Sequence, residues 1–501
     1  MRGFRKPGNA RHSHHGRGQW PDPLDENKNP KRLMREAKNL EKQGRIYEAL
    51  NKIDEILKSN PNNVFAITYK IKLLGKINID LAREVFEEAV ENRIANVVTY
   101  NSMIDAYGKR GMVEEAREVF EEAVKNRIAD VVTYNSMIDA YGKRGMVEEA
   151  REVFEEAVKN RIADVVTYTA MIDAYGKNGR VEEAREVFEE AVKNRIADVV
   201  TYNTMIDAYG KNGRVEEARE VFEEAVKNRI ADVVTYTAMI DAYGKNGRVE
   251  EAREVFEEAV KNRIADVVTY TAMIDAYGKN GRVEEAREVF EEAVKKGIAN
   301  VVTYNTMIDA YGKRGMVEEA REVFEEAVKN RIADVVTYTT ICSLYYLLNR
   351  FKDVEDVVSK APHHIKTNPK IFLIKMEALR KQKEKRWAVV QEISKFLETY
   401  PFKVYTDETY VLANTIMAYA LKDMERRKEA KKLFENLMEN VPLSSIHYPR
   451  ILCGYVFSTE VSEMDENTKE RIITLLEIAS RESNGNLLND INDALSLLRN
   501  I

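Results

Sequence analysis

The 501-residue chain predicts an all-α fold, an α-solenoid superhelix of tandem helix-turn-helix repeats. Three observations carry that expectation. The string VVTY recurs at Val97, Val131, Val165, Val199, Val233, Val267, Val301 and Val335, spaced 34 residues apart every time. Within each copy, apolar residues fall three and four apart, as on a helix with one buried face. Charged residues make up 32% and hydrophobic ones 44%, a balance that suits a helix-rich chain too long for one ordinary core.

Taken in order, residues 1–29 begin MRGFRKPGNARHSHHGRGQW, a stretch with no acidic residue and little apolar content. It reads as a disordered basic tail. A mitochondrial presequence is the alternative, though such a leader should be amphipathic and richer in Ser. His12, His14 and His15 are better read as solvated than as metal ligands, and no cofactor is expected. Residues 30–96 read as two N-terminal capping hairpins. Pro30 to Asn62 places Gly44 and Ala49 in the repeat register, and Asn63 to Asn96 is a hybrid whose second half already reads LAREVFEEAV.

Residues 97–368 form the array, eight repeats of which the last is degenerate. In the first unit one helix is expected from about Thr99 to Lys109, with Met103, Ile104 and Tyr107 at helical spacing. Gly111 then supplies a residue that tolerates a left-handed turn. A second helix is expected from Val113 to Lys125, its apolar stripe formed by Val113, Ala116, Val119, Phe120, Ala123 and Val124. One hairpin cannot bury its own stripe, so neighbours must stack. First helices should then line the concave surface and the acidic second helices the convex one. Gly108 is read as a packing glycine where helices come close. Residues 369–501 stay helical without the strict period, with a hairpin at Asp407 to Val441 and a last amphipathic helix at Leu487 to Leu498. They read as a C-terminal cap.

Comparison among the copies isolates two varying polar positions. The residue after the tyrosine is Asn at Asn101, Asn135, Asn203 and Asn305, but Thr at Thr169, Thr237, Thr271 and Thr339. The last residue is Asp in most units and Asn at Asn96, Asn300 and Asn368. Drift is the bland account, yet the equally exposed glutamates of the second helix do not vary. Asn offers a donor and an acceptor, Thr a hydroxyl, and Asp acceptors only. Small interchangeable hydrogen-bonding groups suit a surface that reads varied polar ligands. The RGM or NGR turn between the helices reads as neutral variation.

Several classes are disfavoured. No run of eighteen apolar residues exists, so no membrane span is expected. Cys342 and Cys453 share no motif spacing and read as buried thiols in a reducing compartment. Enzymatic activity is not expected. No glycine-rich phosphate loop or zinc-deaminase signature is present, and His363 and His364 follow a proline in an expected loop. A net charge of -6 argues against strong non-specific nucleic-acid binding, though not against what one face can do.

The VVTYN(S/T)MIDAYGK front followed by EEAREVFEEA resembles the pentatricopeptide repeat family over Val97 to Asp334, and more loosely to Asn368. The unit is one residue shorter than that family's usual length. The back half and the 34-residue period also suit tetratricopeptide repeats, which bind proteins, but Ile104 stands where that family wants Gly and its late Pro is lacking. The resemblance implies a right-handed superhelix and single-stranded RNA as partner. It also implies a code read by the residue after the tyrosine with the last residue. In that code Asn with Asp selects U, Thr with Asp selects G, and Thr with Asn selects A. Asn101 with Asp130, Asn135 with Asp164, Asn203 with Asp232 and Asn305 with Asp334 then take U. Thr169 with Asp198 and Thr237 with Asp266 take G, whereas Thr271 with Asn300 and Thr339 with Asn368 take A. The family also wedges bases between valines, here Val98, Val132, Val166, Val200, Val234, Val268, Val302 and Val336. It faces phosphate with a lysine, matching Lys109, Lys143, Lys177, Lys211, Lys245, Lys279 and Lys313. A protein partner at the tetratricopeptide-like flanks, a monomeric state and a cytoplasmic rather than mitochondrial location complete the expectations.

Overall fold

Each 34-residue unit forms two helices because its sequence supplies a start, an apolar stripe and a stop for both. In the first unit these are Val97–Arg110 and Val113–Lys125. The start lies in the preceding unit: the Asn96 side chain accepts from the backbone N–H of Val98 and Thr99, and the Thr99 hydroxyl accepts from Asn96 N–H. This reciprocal cap draws the helix back two residues from the expected Thr99. The stop is Gly111, at φ 71°.

The second helix ends differently. Arg127 takes the left-handed conformation at φ 56°, and Ile128 N–H closes onto Ala123 O at 3.0 Å. Most later units repeat that arginine, whereas Gly297 stands in its place at φ 68°.

Three contacts tie the stack together. The Tyr100 hydroxyl donates to Glu122 at 2.9 Å, joining the two helices of one unit. The same ring meets Phe86 of the preceding unit edge-on at 5.0 Å, and Phe120 meets Tyr134 likewise at 5.1 Å. Gly108 is indeed a packing glycine, since a Cβ there would stand 2.9 Å from Ala140 Cβ.

The computed structural model describes residues 30–42, 45–400, 403, 407–443, 445–483 and 485–499. The basic tail, its three histidines and Gly44 lie outside the described residues. The chain divides into two compact units, Met1–Ala242 and Tyr243–Ile501. In the first, the hairpins Pro30–Lys42 with Ile46–Ser59 and Val64–Ile77 with Ile79–Glu91 precede the array. In the second, the array runs to Val335–Leu347 and Phe351–Lys360. Seven α-helices between Pro369 and Arg499 then pack, among the described residues, around two apolar clusters, one on Phe434, Leu452 and Leu476, the other on Met376, Ile393 and Ile416. Among them, Glu408–Asp423 and Arg427–Asn440 form a hairpin whose turn residue Glu425, at φ 64°, takes the place of the array's turn glycine.

Two expectations need correction. His363 and His364 lie in a one-turn helix, His363–Lys366, rather than in a loop. The RGM and NGR turns are not neutral. In NGR turns Asn178 donates to Gly142 O of the preceding repeat at 2.8 Å, and Arg180 pairs with Glu183 and with Glu148 of that repeat. In the first RGM turn it is Arg110 that reaches back, donating to Gly75 O at 2.8 Å. Both versions bridge successive repeats through different side chains.

Among the described residues there is no strand, and no helix is long and apolar enough to cross a membrane. Cys342 and Cys453 are buried and free, and burial pushes each thiol up to about 12, far from reactivity.

Candidate nucleic-acid interface

A groove of about 870 Å³ runs along four successive repeats of the first compact unit, lined entirely from first helices and the residues that cap them. Val132, Val166, Val200 and Val234 stand along it at 50–54% exposure, a regular series of half-exposed apolar side chains. Asn135, Thr169, Asn203 and Thr237 lie between them, together with Asp164 and Asp232. The second-helix glutamates take no part in it, in keeping with the expected segregation. In the second compact unit Val268, Val302 and Val336 are exposed to the same degree, and Thr271, Asn305 and Thr339 keep the register.

The two varying positions have distinct local chemistry. At the last position, Asp130 Oδ1 accepts from Thr133 N–H and the Thr133 hydroxyl, each at 3.0 Å. Asp164 and Asp198 do the same for Thr167 and Thr201, as do Asp232, Asp266 and Asp334 for the threonines three residues on. Asn96 and Asn300 cap through Oδ1 as well, and Asn368 caps Pro369–Arg380 by accepting from Lys370 N–H. Capping therefore uses one oxygen in every case. What remains is an acceptor, Oδ2, in Asp, and a donor, the Nδ2 amide, in Asn.

At the position after the tyrosine, each threonine spends its hydrogen on the backbone carbonyl four residues earlier. Thr169 donates to Val165 O and Thr271 to Val267 O at 2.7 Å, and Thr237 and Thr339 do likewise to Val233 and Val335. The hydroxyl is left as an acceptor. The asparagines differ: Oδ1 of Asn101, Asn135, Asn203 and Asn305 is buried and finds no hydrogen-bond partner. Asn101 also donates from Nδ2 to Asp130 at 3.1 Å, so the two positions of that unit are in direct contact. In that one unit the shorter length does not pull them apart.

The lysines are less free than the sequence suggests. Lys109 pairs with Asp105, Lys143 with Asp139, Lys177 with Asp173 and Lys211 with Asp207, each four residues back on the same helix. In the second unit Lys279 pairs with Asp275 and Lys313 with Asp309. Lys245 holds the same register at the end of its helix. The lysine thus arrives with its own counter-ion, a pairing that the expected phosphate-facing role did not include.

Sequence profiles described as PPR repeat match residues 98–128, 132–162, 166–196, 194–226, 234–264 and 268–298. Related profiles described as PPR repeat family and pentatricopeptide repeat domain match 299–345 and 75–110. The chain belongs to the pentatricopeptide repeat family. Among solved structures, this pentatricopeptide repeat chain is similar to PPR10 from maize, at 21% identity and TM-score 0.46, covering 93% of this chain and 68% of that one. PPR10 in complex with an 18-nt psaJ RNA element matches at 21% identity and TM-score 0.39, covering 93% and 74%. Yeast Tom70 matches at 15% identity and TM-score 0.37, covering 94% and 96%. No curated protein sequence matches the chain.

Two features of the repeat escaped sequence reasoning although their signals were present. The last residue doubles as a helix N-cap, a role that Asp or Asn just before a periodic apolar segment announces. The aspartate of MIDAYGK sits four residues before the lysine, the spacing that places an ion pair on one helix face.

Proposed function

We propose that this pentatricopeptide repeat chain binds single-stranded RNA in a sequence-specific manner, reading about one base per repeat. The observation that carries the proposal is the groove in which half-exposed valines alternate with the varying Asn, Thr and Asp side chains.

The hydrogen-bond inventory supports the code letter by letter. Thr with Asp leaves two acceptors, matching guanine, whose Watson–Crick edge carries two adjacent donors. Thr with Asn leaves an acceptor and a donor, matching adenine with its amino group and bare ring nitrogen. Asn with Asp sets an Asp acceptor against a ring N–H and leaves the longer amide for the carbonyl beside it, as in uracil. Read along the chain, the pairs from Asn101 with Asp130 to Thr339 with Asn368 give 5′-UUGUGAU(A)-3′. The half-exposed valines from Val98 to Val336 would wedge the bases, and the lysines from Lys109 to Lys313 would meet phosphate by leaving their aspartates. Occupancy of such a site would act in post-transcriptional control, through RNA stability, processing or translation.

A polar base contact discriminates by about 1–3 kcal/mol, so seven modules supply a large specificity ratio even at the lower value. A filter-binding assay with UUGUGAUA against a shuffled oligomer tests the proposal. Equal binding of both would sink it. Asn135→Thr is expected to move preference at the second base from U to G. An unmoved preference would show that the position assignments are wrong.

A further inference from the structure

The hybrid unit before the array, read from sequence as a cap, carries the same register one step upstream. Asn63 caps Val64–Ile77 by accepting from Ala66 N–H, as Asn96 caps the next first helix. Gly75 faces Ala106, where an added Cβ would stand 2.7 Å from Ala106 Cβ, just as Gly108 faces Ala140. Thr68 Oγ1 lies 3.2 Å from Thr99 Oγ1, reproducing the approach of Thr169 to Thr201 at 3.4 Å. Each match is offset by 33 residues rather than 34, which is why the strict period hides the unit. In that offset Phe65 replaces the wedge valine, Thr68 the residue after the tyrosine, and Asn96 the last residue.

Phe65 is 83% exposed, well beyond any of the wedge valines, and no aromatic ring packs on it among the described residues. It shares a separate groove of about 450 Å³ with Thr68, Asn96 and Val98. Charge differs there as well. Lys72, paired at 3.2 Å with Glu41 behind the groove lining, stands where later units have the groove aspartate, and Lys31 and Lys38 also line the groove. An exposed aromatic face, a half-exposed valine, a pair of polar side chains and a basic rim together describe a seat for one nucleotide.

We infer that the unit Asn63–Asn96 binds a further nucleotide, 5′ to those taken by the array, with its base stacked between Phe65 and Val98. The inference rests on the RNA reading above. Adenine is the base it favours. Asn96 spends Oδ1 on its cap and keeps an amide donor for a bare ring nitrogen, the Thr68 hydroxyl faces the amino group, and the wide purine covers more of the phenylalanine ring.

The test compares affinities of the full chain for UUGUGAUA, AUUGUGAUA, UUUGUGAUA, and the nine-mer with an abasic first position, by fluorescence anisotropy. The 5′ adenine is expected to tighten binding about tenfold, the value of one base stacked on an aromatic ring, with uracil gaining less and the abasic residue nothing. In F65A the ratio of AUUGUGAUA to UUGUGAUA affinity should fall to about one, and F65W should restore it. Equal gains from adenine and the abasic residue, or an F65A ratio like that of the parent, would overturn this inference while leaving UUGUGAUA recognition standing. Failure of UUGUGAUA itself to outbind its shuffled form would overturn the underlying reading and this one together.

Discussion

At Asp198 one carboxylate oxygen holds the N–H and hydroxyl of Thr201, and the other is left over. Substitution should separate the two roles. Asp198→Asn keeps the capping oxygen and exchanges the outward acceptor for a donor, so preference at the third base should move from G to A with the melting temperature unchanged. Asp198→Ala removes both, costing about 1 kcal/mol of stability and all discrimination at that base. Binding to RNAs varied at the third position, together with thermal melts, checks both outcomes. Asp173→Asn acts on the neighbouring ion pair. Lys177, which the hydrogen bond to Asp173 holds more firmly protonated, would be released toward phosphate. RNA binding should tighten, and the dependence of log K on log salt should steepen; an unchanged slope would place Lys177 away from the backbone. The residues read here as base readers were legible in the sequence because they vary among copies whose helix-core positions hardly change. Their capping and pairing partners were harder to see, because Thr133 or Asp105 does not vary from copy to copy and so draws no attention.

At the scale of the helix, the ends matter more than the middles. Six array arginines from Arg127 to Arg331 hold the left-handed conformation, with φ of 56–60°, a geometry costly for any residue with a Cβ. Arg161→Gly should therefore stabilise the chain by about 0.5–1 kcal/mol, the relief of strain exceeding the extra freedom of glycine when unfolded. A rise in urea midpoint at constant slope would confirm it. Gly176→Ala should do the reverse, since the new Cβ would stand 2.5 Å from Ala208 Cβ. Overpacking of that kind costs roughly 1–3 kcal/mol, read as a lowered midpoint. Gly108 and Gly111 announced their roles in the sequence because glycine has few other uses inside a helical hairpin. The left-handed arginines did not, for nothing in the chemistry of arginine favours that conformation. Only Gly297, substituting once at the same position, hinted at it.

At the scale of the whole chain, acid is the perturbation that the buried carboxylates answer. Burial pushes Glu41 up, but hydrogen bonds from Lys76, Tyr69 and Lys72 outweigh it and hold the carboxyl at about 2, against an ordinary 4.5. A depressed folded-state value means stability that is fully present above 4.5 and is lost as pH falls toward 2. Glu377, in the other compact unit, is buried against Arg450 and Arg380, and their charges hold it well below the usual carboxylate range. Its contribution disappears in the same direction. Glu377→Gln should cost about 3 kcal/mol by leaving the buried guanidinium of Arg380 and the partly buried one of Arg450 short of a partner, and should flatten the acid limb of a melting-temperature profile. A limb as steep as the parent's would show that Glu377 does not titrate on unfolding. This network could not be foreseen, because Glu377, Arg380, Asp423 and Arg450 lie up to 73 residues apart and outside any repeat.

The aspartate beside each lysine also bears on how a partner is found. A groove that carries paired rather than bare cations throws little field into solution, so an approaching polyanion is not drawn in from afar. Encounter should then proceed on the order of 10⁵–10⁶ M⁻¹s⁻¹, the unsteered range, and should change little with ionic strength. Selectivity would reside in residence time: mismatched strands arrive as often as matched ones and leave sooner. Stopped-flow association rates that stay flat from low to physiological salt, with dissociation rates that climb at each mismatch, are the kinetic counterpart of that one ion pair repeated along the groove.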